Sequence, residues 1–230
     1  GYLSIARSIA QGDVPTNHSS RQLYFSPGYP VLTAPAFWAG RRPFLAVAGM
    51  NALFAVLLLA GVYVWFRRHM TRAAVALTGL VMLNASLWIL YRRPLSELAF
   101  MATLVWMSLA IESTLCAPSW RRFVVGLAGS VLLAALLVSI RHAGAMCIGG
   151  ICLAVAIGAF RGQVAFRRAF VVGLGIAISG AGTVTAVVAY ERAQQVSTTY
   201  LEQVIDGESN FLSQIADGCR LRICEVGTVL

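Results

Sequence analysis

The chain has 230 residues, of which 58% are hydrophobic and only 12% are charged, about half the ~25% charged share of a soluble domain. All 18 basic residues are arginines, and they stand mostly at the ends of apolar runs, which marks membrane topology rather than a phosphate-binding stripe. These features exclude a soluble enzyme and a nucleic-acid-binding module. They predict an all-α, polytopic membrane helical bundle.

The first predicted element is a short amphipathic helix over residues 2–10. Ile5 and Ile9 fall on its apolar side at helical spacing, whereas Arg7 falls on the other side. The segment is too short to span a bilayer, so we expect it to lie in the membrane interface with Ile5 and Ile9 facing apolar surface. Gly12 is expected to end it.

A proline-containing aromatic turn follows a polar stretch. Pro27 and Gly28 form a turn dipeptide, and Tyr24 and Tyr29 flank it. Tyrosine suits the membrane–water boundary, because one end of its side chain is apolar and the other polar. The sequence therefore predicts that residues 1–43 form an interfacial loop outside the bilayer core.

Six apolar runs of near-spanning length come next, and together they predict a transmembrane bundle over residues 44–190. The runs are 44–66, 73–90, 95–111, 123–140, 143–160 and 169–190. Small residues are frequent in the last two runs and predict close helix packing there. They include Gly173, Gly175, Gly180 and Gly182.

The arginines of the short loops predict the orientation of the bundle. One set of alternate loops holds eight arginines and the other set holds three. Because positive charge is retained in the cytoplasm, the arginine-rich loops are expected there, and residues 1–43 and the tail are expected outside. The richer set is Arg67, Arg68, Arg72, Arg121, Arg122, Arg161, Arg167 and Arg168; the poorer set is Arg92, Arg93 and Arg141.

The tail over residues 191–230 reads as two short amphipathic helices outside the membrane. It contains Cys219 and Cys224. A disulfide between them and two separate thiols both remain open. The three histidines are dispersed and indicate no metal site.

Acidic residues are scarce enough to single out candidates for chemistry. Glu97 lies near the outer start of the third run, where a carboxylate close to the membrane is costly and functional by default. The alternative is a first-turn acid that favours the helix macrodipole. Arg92 and Arg93 precede it, as phosphate ligands or as an ordinary helix flank. Glu112 is interpreted as solvated, and Asp13 as a helix-terminating residue.

Three segments together resemble the C-type membrane glycosyltransferases, the class that includes protein O-mannosyltransferases and lipid A aminoarabinose transferases. Residues 1–13 resemble the interfacial helix of that class, residues 24–30 its proline-containing aromatic turn, and residues 93–100 its Ser-Glu entry to a later span. The resemblance covers about residues 1–190. It implies the fold of that class, known as GT-C.

The resemblance implies transfer of a sugar from a polyprenyl-phosphate donor to an acceptor on the outer face of the membrane. We expect that membrane to be a bacterial inner membrane. The catalytic base of the class, an Asp, would stand just before Gly1 together with a first span, so the chain is expected to be an inactive fragment. Asp13 stays a catalytic candidate behind Glu97. The donor phosphate would contact Arg92 and Arg93, and the substrate loop would comprise Tyr24, Pro27, Gly28 and Tyr29.

The partners implied are membrane lipid and a polyprenyl-phosphate-linked sugar, and use of a divalent metal is open. A transporter or lipid flippase is the first alternative, although broken helices and repeats typical of transporters are not evident. A non-catalytic membrane scaffold is the second alternative, and it would leave Arg92, Arg93 and Glu97 freely replaceable. The residues upstream of Gly1 would discriminate among these hypotheses.

Overall fold

The computed structural model describes residues 2–13, 26–38, 42–70, 73–82 and 96–193. Every regular element in these ranges is helical, which confirms the predicted all-α class. A 3₁₀ turn over Ala34–Phe37 follows α2. The helices are α1 (Tyr2–Gln11), α2 (Gly28–Thr33), α3 (Pro43–His69), α4 (Ala74–Met82), α5 (Glu97–Leu115), α6 (Trp120–Ile140), α7 (Ala143–Phe160) and α8 (Phe166–Ala193).

In the part of the chain that the structure describes, five helices are long and apolar enough to cross a membrane: α3, α5, α6, α7 and α8 as far as Tyr190. The chain is a multi-pass integral membrane protein, as predicted. The second predicted run is described only as α4, and the rest of it lies outside the described residues. The helices also extend into the flanking arginines, because arginine is a good helix former and its long side chain reaches from the helix to the interface.

The first half of the bundle is built on α3 and α5, which run parallel. At one end Leu58 of α3 packs against Leu98 and Ala102 of α5, and at the other end Arg68 pairs with Glu112. We call the end that holds α1 and α2 the leader end. The opposite end, where α3 and α5 finish and α6 and α8 begin, is the arginine-rich end.

Helix α6 joins the two halves, because it packs against both α5 and α8, while α7 packs chiefly on α8. Met107, Phe123, Leu137, Ile148 and Ile176 are buried in the main core. A tight contact supports the α5–α6 pair: a Cβ on Gly126 would collide with the Thr114 side chain.

The predicted close packing at the α8 glycines is half right. A Cβ on Gly180 would lie 2.8 Å from Ile148 Cδ1, and one on Gly175 would lie 3.3 Å from Leu127 Cδ1. Gly173 and Gly182 would meet no described atom within 4 Å. The prediction fails for this pair because a side chain at either position would point into open space, although Gly173 O accepts a 3.6 Å hydrogen bond from Cys152 Sγ of α7.

Helix α1 ends where predicted. Gly12 has φ of 75°, its N–H bonds to Ile9 O at 3.1 Å, and the Asp13 N–H bonds to Ser8 O at 3.0 Å. These two bonds form a Schellman motif, which favours glycine at the left-handed position. Ile5 is fully buried, because α2 and the 3₁₀ turn cover the apolar face of α1.

Candidate functional site

Glu97 and Arg141 form an ion pair at the leader end. Glu97 is the first residue of α5, and Arg141 directly follows α6 in an extended conformation. Arg141 Nη1 donates to Glu97 Oε1 at 3.0 Å, and the two side chains are 40% and 31% exposed. Because the pair is partly exposed, solvent weakens the attraction and little stability is gained from it. The pair therefore matters less for stability than for what its carboxylate and guanidinium groups can bind.

The second carboxylate oxygen of Glu97 is the unusual atom of the pair. Oε2 is buried and has no hydrogen-bond partner among the described residues; the 31% exposure belongs to the rest of the side chain. A carboxylate accepts several hydrogen bonds, and a buried polar atom without a partner costs about 1–3 kcal/mol. An acceptor held in this state is a position where a ligand hydroxyl or cation is expected.

Arg141 has a second contact that fixes its plane. Its guanidinium lies over the Phe100 ring, 5.9 Å from the centroid, a cation–π arrangement. Phe100 stands one turn after Glu97 on α5, so a single helix face supplies both the ring and the carboxylate. A guanidinium carries five N–H donors in a planar fork, which matches a phosphate.

Two tyrosines cover the start of α5. The Tyr2 hydroxyl and Ser96 Oγ are 3.2 Å apart and hydrogen-bonded. The Tyr2 and Tyr29 rings meet edge to face, with centroids 5.1 Å apart and planes at 80°. Helices α1 and α2 are thereby held above the residue that precedes Glu97.

Tyr29 is fully buried, and its hydroxyl donates to Asn51 Oδ1 of α3 at 2.9 Å. Burial raises the pKa of Tyr29 to about 12; the Asn51 hydrogen bond opposes this rise, and the charges of Tyr2 and Glu97 add to it. Tyr29 is therefore a neutral side chain near neutral pH.

The end of α6 and the α6–α7 turn contact residues 26–33, which comprise Ser26, Pro27 and α2 and are called the leader below. A Cβ on Gly28 would collide with the backbone carbonyl group and Oγ of Ser139, so only glycine fits this contact. Ser26 Oγ and His142 Nδ1 are 2.6 Å apart and hydrogen-bonded. Burial lowers the pKa of His142, so the neutral ring is favoured. Arg141 is the neighbour of His142 in this turn, so the position of Ser26 and α2 is coupled to the Glu97–Arg141 ion pair.

The predicted site residues divide into three groups. Glu97, Gly28 and Tyr29 lie together at the leader end, and Pro27 lines a neighbouring groove of about 420 Å³ beside Gly182 and Tyr190 of α8. Asp13 is exposed, with its backbone N–H terminating α1. Predictions for Tyr24, Arg92 and Arg93, for the tail and for Cys219 and Cys224 lie outside the described residues.

Sequence reasoning overlooked Asn51 and Arg141. Asn51 is the only Asn or Gln in the first apolar run, and Arg141 stands on the side where positive charge is least expected. Those two signals were sufficient to select them. Within the described ranges, no three metal-ligating side chains cluster.

No family model, curated protein or solved structure matches the chain.

Proposed function

We propose that the chain belongs to a membrane glycosyltransferase that moves a sugar from a polyprenyl-phosphate donor to an acceptor at the leader end. The observation that carries the proposal is the buried, unpartnered Oε2 of Glu97, beside a guanidinium and beneath two tyrosines. An acceptor atom and an anion-binding group stand side by side there, and the transfer of a phosphate-linked sugar needs both.

Arg141 is the proposed ligand of the donor phosphate. The leaving group is a phosphate whose charge grows in the transition state, and a preorganised cation stabilises that charge. Arg141 is held by Glu97 on one side and Phe100 on the other, so little reorganisation is required. Arg92 and Arg93 remain candidates for the same phosphate.

Glu97 is the proposed acceptor for a substrate hydroxyl, or for a divalent metal if one takes part. Its Oε1 is occupied by Arg141, and Oε2 remains for the substrate. The base that removes the acceptor proton is expected before Gly1, on the resemblance to the family. The leader end would face outward, as the arginine asymmetry predicts, in a bacterial inner membrane.

The test is Glu97→Gln in the full-length protein, with Glu112→Gln as the matched control. Both acids are on α5 and both pair with an arginine, but Glu112 pairs with Arg68 at the arginine-rich end. Glu97→Gln should lower kcat for sugar transfer by about 10²-fold, the loss expected when a substrate is no longer held in its reactive position. Glu112→Gln should leave it nearly unchanged. Equal effects of the two substitutions, with both proteins folded, would refute the proposal.

A second pair of substitutions separates donor binding from folding. Arg141→Gln should raise the apparent KM for the polyprenyl-phosphate donor and also lower kcat, because it removes a contact that is made in the ground state and strengthens as charge grows on the phosphate. Arg68→Gln is its control. If Glu97→Gln abolishes lipid translocation in proteoliposomes while no sugar transfer is detectable in the parent protein, the flippase alternative replaces the transferase.

A further inference from the structure

A second cavity lies at the arginine-rich end, opposite the Glu97–Arg141 pair. It has a volume of about 850 Å³ and opens between the end of α5, the start of α6 and Arg68 of α3. Among the described residues, its lining holds Arg68, Arg121 and Arg122 together with one acid, Glu112. Three guanidinium groups against one carboxylate leave the lining strongly positive.

The arginines of the cavity are unequally engaged. Arg68 donates to Glu112 Oε2 at 3.3 Å and to Ser113 Oγ at 3.2 Å. Arg121 and Arg122 stand exposed in the first turn of α6. The positive end of the helix macrodipole reinforces their charge. An anion entering the cavity would meet two arginine side chains and the start of a helix.

The wall behind these arginines is apolar. Ala117, Pro118, Val125 and Gly126 line the cavity, and Val125 is largely exposed although it belongs to a spanning helix. Trp120, which directly precedes Arg121 in the chain, is 75% exposed and stacked on Phe123 with ring centroids 5.3 Å apart. Exposed tryptophan is typical of the membrane–water boundary. The cavity lining therefore combines cationic side chains with apolar ones.

We infer that this cavity binds an anionic phospholipid, with the headgroup phosphate on Arg121 and Arg122 and the glycerol and upper acyl chain along the Val125 wall. Arginine binds phosphate through its planar fork, and basic pockets between transmembrane helices are suited to acidic headgroups. The apolar wall selects a lipid over a free phosphate ion. The cavity does not include the proposed transfer site, so the inference is independent of the proposed function.

The chain supplies its own reporter for this site. Cys116 is exposed and lines the cavity, so a bound lipid should shield its thiol. The full chain is placed in nanodiscs of phosphatidylcholine, with or without phosphatidylglycerol, and reacted with N-ethylmaleimide. Peptide mass spectrometry follows the alkylation rate of Cys116. Phosphatidylglycerol should slow that rate about tenfold or more, since each of the two arginines contributes about a factor of five near an acidic surface.

Two double variants decide whether the effect belongs to the cavity. Arg121→Gln with Arg122→Gln should abolish the protection by phosphatidylglycerol. Arg161→Gln with Arg167→Gln removes the same charge at the same end from exposed residues outside the cavity lining, and it should retain protection. The ratio of rates with and without phosphatidylglycerol is compared within each variant, which cancels any change in intrinsic thiol reactivity.

Three outcomes would overturn the inference. Equal loss of protection in both double variants would assign the effect to general surface charge. Equal protection by inorganic phosphate in phosphatidylcholine nanodiscs would make the site a phosphate site with no lipid specificity. Unchanged Cys116 alkylation in the parent protein would remove the site altogether. If the glutamine variant is misfolded, Arg121→Lys with Arg122→Lys retains the charge and should give intermediate protection, and full protection there would contradict the role of the planar fork.

Discussion

Tyr29 and Asn51 form a hydrogen bond that is closed to solvent, with the two side chains only 0% and 2% exposed. It joins α2 to α3 in otherwise apolar surroundings, where an unpaired partner is expensive. It also sets the position of the Tyr29 ring, which Tyr2 contacts edge to face. Helices α1 and α2, which pack over the start of α5 near Glu97, are thus anchored to α3.

Tyr29→Phe should lower the free energy of unfolding by about 1–3 kcal/mol, because the ring stays while Asn51 loses a buried donor. Thermal unfolding in detergent measures this loss. Tyr63→Phe is the control, since Tyr63 lies on the same helix as Asn51 and its hydroxyl makes no described hydrogen bond. The hydrogen bond is without consequence if both variants unfold at the same temperature as the parent.

The free energy of unfolding should fall between about pH 10 and pH 12, because the pKa of Tyr29 differs between the unfolded and folded chain. Its pKa is about 12 in the fold against the ordinary 10.0, so above pH 10 the unfolded chain releases a proton that the folded chain retains. The contribution is complete below pH 10 and is lost as pH rises toward 12. The chain has no lysine, so lysine titration does not mask this window. In Tyr29→Phe the slope of unfolding free energy against pH should become shallower there, and an unchanged slope would contradict the assignment.

Gly28→Ala should push α2 away from α6. The added Cβ collides with the Ser139 backbone, which cannot move aside as a flexible side chain does. Overpacking of this kind costs about 1–3 kcal/mol, and thermal unfolding measures it. Gly149→Ala is the control: a Cβ there meets nothing within 4 Å, and alanine is the better helix former. Equal thermal stability of the two variants would show that α2 does not rest on Ser139.

The arginine asymmetry predicts which end faces outward. In a background with the native cysteines replaced, Asp13→Cys should react with an impermeant thiol reagent added to intact cells, because Asp13 is exposed at the leader end. Gln163→Cys, which is exposed in the α7–α8 turn, should react only after the membrane is permeabilised. The reverse pattern of labelling would invert the topology and the proposed side of sugar transfer.

The sequence predicts the helices well because their signals are local. Apolar length fixes the spanning helices, and Gly12 marks the end of α1 by itself. The pairing of Glu97 with Arg141 is not local, because the residues are 44 positions apart, whereas Arg92 and Arg93 are much closer to Glu97 in the sequence. The Gly28–Ser139 contact is also not local. The two residues meet only when α2 packs against α6, so the sequence alone does not show that Gly28 lies against the Ser139 backbone.

The Ser26–His142 hydrogen bond joins residues that are 116 positions apart, and this separation imposes an order on biogenesis. At a synthesis rate of about 5–20 residues per second, roughly six to twenty-three seconds pass between the emergence of the two residues. Asn51 follows Tyr29 by only 22 positions, so that pair is available to form early. The surface against which Gly28 packs is Ser139, so it exists only after α6 has been inserted. Closure of the leader end is therefore a late event in assembly, and a nascent chain arrested before Ser139 would present α2 without the surface against which it rests.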